Sequence, residues 1–246
     1  MKRIFIYLSV FALIAESGYT KNNMTNKPFM ISLKVGRENP PVQFETLYIE
    51  PVYLIIQNES DRSPNVELGL KVTETNSNKV YSHTLFYSYN NPKIYYPRAF
   101  ENYTFSLEIN NDSVNLVVEK LDFGKEFFLE LDQKAVIGNF SIFFEDTYSD
   151  WSNDAHGDYL ESREHFKILV SDDEEQKELR FGALYAVGRE KKLLLDSYRG
   201  GIKDSKNELQ LNWKNYQIIV LDAGGLILKL KVSQQNGNEN DERESD

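Results

Sequence analysis

Hydrophobic residues recur at every second position through most of this chain, and that period constrains its fold more than any other feature. Phe29-Met30-Ile31-Ser32-Leu33-Lys34-Val35 alternates, as do residues 66–73, 103–109, 139–144 and 226–232. A period of two puts alternate side chains on one face of a strand, where a helix would repeat at about 3.6. The best helical stripe, residues 172–179, is short and reads more easily as a hairpin loop. Turn chemistry separates the strands: Asn90-Asn91-Pro92, Asn110-Asn111-Asp112, Arg199-Gly200-Gly201 and Asp222-Ala223-Gly224-Gly225. Short strands at this spacing predict an all-β chain of Ig-like antiparallel β-sandwiches. With 41% hydrophobic residues there is enough apolar material for a core.

The two halves read alike. Phe100-Glu101-Asn102-Tyr103 and the strand after it parallel Trp213-Lys214-Asn215-Tyr216 and its strand. Residues 114–121 then parallel 226–232, residues 52–56 parallel 140–144, and residues 70–73 parallel 166–169. The matches keep their order, which predicts two tandem copies of one sandwich unit, 28–121 and 122–233, joined near residues 122–125.

The ends are different in kind. Met1-Lys2-Arg3 is basic, residues 4–15 are uncharged and mostly apolar, and Glu16-Ser17-Gly18 is small and polar. That order is an export signal, too short to span a bilayer, which needs about 20 residues. It predicts a secreted or periplasmic protein with a signal over 1–15, a leader over 16–27 and no membrane span after cleavage. Cysteine is absent, so neither a disulfide nor a cysteine-borne lipid is available. Residues 234–246 hold only Gln, Asn, Gly and charged or small polar side chains and read as a disordered acidic tail. The formal charge is −10, and loss of Lys2 and Arg3 takes it to −12. Such acidity disfavours nucleic acid, whose phosphates it repels.

Residues 145–165 are the segment richest in chemistry. They read as a long acidic loop that carries Glu145, Asp146, Asp150, Asp154, Asp158, Glu161 and Glu164, with His156 and His165. Calcium takes six to eight oxygen ligands from such loops. Asp150, Ser152, Asp154, Asp158 and Glu161 fall at positions 1, 3, 5, 9 and 12 of a calcium-loop pattern. Ala155 stands where that loop needs glycine, so an EF-hand is rejected and a generic calcium site is kept. A nitrogen–oxygen metal site from His156 and His165 with Asp158 or Glu161 is the second option. The plain alternative is a solvated loop whose charges hold a sheet edge unpaired.

The motifs of known catalysts are missing. There is no Gly-x-Ser-x-Gly, no phosphate-binding glycine loop, no His-Glu-x-x-His and no cysteine nucleophile. Tyr87, Tyr89, Tyr95 and Tyr96 lie in an aromatic stretch that can stack on sugar rings or anchor a protein. The expected function is therefore binding or assembly with a protein or glycan partner, through end loops and this aromatic surface. A hydrolase working with loop carboxylates, and a ligand-free spacer, are the alternatives.

Overall fold

The computed structural model describes residues 27–35, 37–57, 65–87, 97–110, 113–153, 159–186 and 189–235. The signal segment, the leader through residue 26 and the tail from residue 236 lie outside them. Among the described residues the chain is all-β, apart from one turn of 3-10 helix at Ile202–Asp204. The first half contributes β1 (Phe29–Leu33), β2 (Val42–Phe44), β3 (Leu47–Gln57), β4 (Asn65–Glu74), β5 (Lys79–Tyr87), β6 (Arg98–Phe100), β7 (Tyr103–Asn110) and β8 (Ser113–Lys120). The second contributes β9 (Glu126–Glu130), β10 (Lys134–Ile137), β11 (Phe140–Asn153), β12 (Tyr159–Ser171), β13 (Gln176–Ala186), β14 (Lys192–Leu194), β15 (Leu209–Trp213), β16 (Tyr216–Gly224) and β17 (Ile227–Gln234). The last strand thus takes in Gln234, which its composition had assigned to the tail.

Three sheets result. The largest has the order β1-β8-β7-β6-β9-β17-β16-β15 and runs through both halves. A four-stranded sheet, β2-β3-β4-β5, packs on its first half, and a five-stranded sheet, β10-β11-β12-β13-β14, on its second. The two smaller sheets are plain meanders. The crossed Greek-key order of an Ig sandwich is therefore not the one observed. Alternation identifies strands but carries no information on how they connect.

The order nevertheless repeats: 1-8-7-6 over 2-3-4-5 returns as 9-17-16-15 over 10-11-12-13, with β14 added. Register repeats too. Ile31 pairs with Leu116 as Phe127 pairs with Leu230. Phe100 pairs with Tyr103 as Trp213 pairs with Tyr216, each across a tight turn led by a residue at positive φ, Glu101 at 50° and Lys214 at 51°. β3 and β11 both bulge just after an inward residue, Pro51 in one and Phe144 in the other. Residues 47–51, not 52–56, are therefore the counterpart of 140–144. The bulge inserts one residue and breaks the period on which the sequence match relied.

The buried side chains form two clusters. One joins β1, β3, β4, β5, β7 and β8 around Leu47, Ile49, Leu68, Phe105 and Leu116. The other joins β9 to β17 around Phe127, Phe140, Phe144, Phe166 and Ile218. Each such side chain contributes about 1.5–3 kcal/mol by leaving water.

A short strand joins the halves. At Arg98, β6 runs parallel to β9, and the amide of Phe128 donates to Pro97 O at 2.8 Å. One turn later Glu101 exchanges two backbone hydrogen bonds with β10, both 2.8 Å, to Lys134 O and from the amide of Val136. Side chains reinforce the join. Glu130 of β9 accepts from Arg98 Nη1 at 3.0 Å and Tyr81 Oη at 3.3 Å, and meets His83 Nδ1 at 2.7 Å. Burial alone would raise this carboxyl, but the His83 hydrogen bond and charge, and those of Arg98, outweigh it and hold it below the usual range.

Candidate functional site

The acidic segment is a hairpin, not a loop. β11 and β12 pair from Ser141 and Ser171 out to Asn153 and Tyr159, leaving only residues 154–158 between them. The polar positions alternate with the inward ones, and across the strands they compensate. Asp146 faces Lys167 and Asp150 faces Arg163. Lys167 also bonds Glu145 at 2.8 Å and Glu178 at 3.2 Å, and Arg180 bonds Glu178 at 2.5 Å. A ladder of opposite charges stabilises neighbouring strands, and this one lies on the outward face of the five-stranded sheet. Read as composition it resembles a solvated loop; read as register it is a strand pair.

His165 stands at the centre of that face, between Tyr148 on β11 and Gly182 on β13. It is 4% exposed although its strand neighbour Phe166 takes the core side. The cover comes from two tyrosines. Tyr148 stacks on the imidazole at 4.4 Å and 9°, and Tyr198 leans over it at 4.9 Å. The two phenols are hydrogen-bonded to each other. Residues 195–201 bring Tyr198 into place through a turn in which Asp196 Oδ1 accepts from the amides of Tyr198 and Arg199, both at 3.0 Å. That segment can lie close because residue 182 is glycine. A Cβ there would sit 2.6 Å from Ser197 Cβ and 2.9 Å from Glu164 O.

The chemistry of this site follows from its partners. Asp150 Oδ2 lies 3.1 Å from His165 Nε2. A carboxylate only accepts, so Nε2 carries the proton and Nδ1 is the buried, unpartnered atom. Desolvation, then the bond to Tyr198, push the Tyr148 phenol up to about 12. It is a donor at neutral pH and no nucleophile. A small cavity of about 70 Å³ beside them is lined by Asp146, Tyr148, His165, Arg180, Ser197 and Tyr198.

The expected metal ligands divide. Asp154, His156 and Asp158 lie outside the described residues. Asp150 is turned to His165, and Glu161 Oε1 accepts from Arg163 Nε at 3.2 Å and Nη2 at 3.1 Å. Among the described residues no three His, Asp or Glu side chains gather as metal ligands would.

The expected aromatic surface is also redrawn. Tyr89, Tyr95 and Tyr96 lie outside the described residues. Tyr87 pairs with buried Val66 and packs, partly buried, against the first core. Phe86, on the opposite face of β5, is 45% exposed.

One functional candidate was not visible in the alternation. Tyr53 follows the β3 bulge and lies across Gly69 of β4, where a Cβ would come within 2.2 Å of Cε1. Its hydroxyl donates to Glu67 Oε1 at 2.8 Å and meets Thr84 Oγ1 at 3.2 Å. The run Val52-Tyr53-Leu54-Ile55-Ile56 has no polar alternation to tell outward from inward. The signal that was present is Gly69 inside an alternating strand, a mark of close approach by another group.

Comparison with known protein families, curated proteins and solved structures finds no match to this chain.

Proposed function

We propose that this chain is an exported, non-catalytic binding or assembly protein whose two sandwich halves descend from one duplicated unit. The observation that carries the reading is where its exposed apolar side chains sit. Val52, Tyr53, Ile55 and Phe86 crowd one end of the four-stranded sheet, and Tyr148, Leu195 and Tyr198 are exposed in the other half. Scattered exposed apolar residues are ordinary, whereas clusters with polar rims mark interaction surfaces. The repeated strand order and register support duplication. The basic, apolar and small-polar order of residues 1–18 supports export. Among the described residues no helix is long and apolar enough to cross a membrane.

A hydrolase has less support. Asp150 and Glu161 are bound by His165 and Arg163, and Glu164 Oε2 accepts from the amide of Gly225 at 3.0 Å and Tyr185 Oη at 3.2 Å. Carboxylates committed in this way are poor general acids. The test places a photo-crosslinking residue at Phe86, and in a second protein at Tyr198, in the cells that export the chain. A defined adduct from either position supports binding. Two adduct-free proteins would leave a spacer.

A further inference from the structure

Two observations meet on the outer face of the four-stranded sheet, and they rest on the reading of this chain as a binding protein. The first is the state of Tyr53. Gly69 beneath it has no side chain to lift the ring, and Glu67 and Thr84 hold the hydroxyl. The ring is 40% exposed, so the surface it offers is its free π-face, with its donor already used. A ring fixed before a ligand arrives loses little entropy on binding. The second is the groove in which it lies, of about 590 Å³, which Phe86 also lines. Small-molecule sites occupy roughly 300–1,000 Å³. Its polar lining is Lys71, Ser82 and Thr84, and at the far end His83 and Arg98, which both meet Glu130.

We propose that this groove is a binding site for a neutral carbohydrate, with Tyr53 as the platform for one sugar ring and Phe86 as a second apolar contact. A pyranose has apolar C–H faces and hydroxyl edges. A fixed aromatic face bordered by short hydroxyl side chains complements both. Charge selects within that class. Lys71 meets Glu50 at 3.9 Å, Arg98 and His83 meet Glu130, and the chain as a whole carries −10, which repels acidic polymers.

The experiment is affinity electrophoresis of the whole chain through gels carrying xylan, glucomannan, mixed-linkage β-glucan or hydroxyethylcellulose, with alginate as the acidic control. Calorimetry then follows, with the hexasaccharide of whichever polymer retards it. The expected result is retardation by at least one neutral polymer and none by alginate. Tyr53→Ala should weaken binding by about tenfold or more, and Tyr53→Phe by less than about threefold, since the ring remains. Gly69→Ala should weaken it by displacing the ring, and Trp151→Ala, on the other half, should leave it unchanged. Circular dichroism melts establish that each variant is folded. Retardation by no neutral polymer, or by Tyr53→Ala as by the wild type, overturns the proposal. An adduct at Phe86 without polysaccharide binding overturns the carbohydrate and leaves the binding reading standing. No polysaccharide binding together with no adduct from either Phe86 or Tyr198 overturns both.

Discussion

Two glycines decide what the outer faces of this molecule can carry. Gly69 lets Tyr53 lie down, and Gly182 lets residues 195–201 close over His165. At Gly182 the obstacles include backbone, Glu164 O at 2.9 Å, which cannot swing aside. Gly182→Ala should therefore lower stability by about 1–3 kcal/mol, read as a drop in the denaturation midpoint. It should also uncover His165, 4% exposed in the wild type, to modification by diethyl pyrocarbonate. An unchanged midpoint would mean that the covering segment is not seated as described. Tyr148 supports a second prediction at this scale. Its phenol, pushed up to about 12, should ionise last among the accessible tyrosines in an ultraviolet titration, and Tyr198→Phe should bring it back toward 10. Sequence alone singled out residues 145–165 and one tyrosine-rich stretch, but not the pairing of His165 with Asp150 or which aromatic side chains face water. Tyr87 and Phe86 are adjacent, and a one-residue error of phase exchanges them.

Elements show where period and composition part. Strands with apolar alternation were legible because one face must be buried. The β11–β12 hairpin was not, because its outer row is charged and its stability comes from partners on neighbouring strands. Lys167→Glu would set three acids together and should lower the melting temperature, and Glu178→Lys in the same chain should recover part of the loss. Calcium should do little here. A ligand held at 100 times its dissociation constant adds roughly 2.7 kcal/mol, a clear shift in a melt. With Asp150 and Glu161 already engaged, melts in EDTA and in calcium should coincide, and a calcium-dependent rise would restore the metal site. Turns carry their own strain. Asn78, at φ 55° in the β4–β5 connection, should tolerate glycine and lose about 1 kcal/mol on change to alanine, as chemical denaturation would measure.

At the scale of the molecule, the cluster of Glu130, Arg98, His83 and Tyr81 reinforces the backbone join between the two cores. The folded carboxyl of Glu130 lies below its unfolded value. Its contribution is therefore whole above about pH 5 and is lost as pH falls through the folded value. Stability of the wild type should decline on acidification below that point, and Glu130→Gln should be less stable at pH 7 by about 1–3 kcal/mol while losing part of the acid sensitivity. Parallel pH series of urea denaturation would read both. The all-β class could be read from pattern. The shared eight-stranded sheet could not, because β6, only three residues long, leaves almost no period to detect.

The same join bears on what a second copy would meet at either end of the stack. Register places Lys34 where the second half has Glu130, and Lys177, Leu179 and Leu211 where the first has Tyr81, His83 and Arg98. A second copy docking by that geometry would bring lysine toward lysine, with leucines in place of the imidazole and the guanidinium. Like charges at a strand edge are a barrier to fibre growth. Among the described residues the chain makes this edge-to-edge contact between its halves, and it carries lysine at the corresponding place on each outer end.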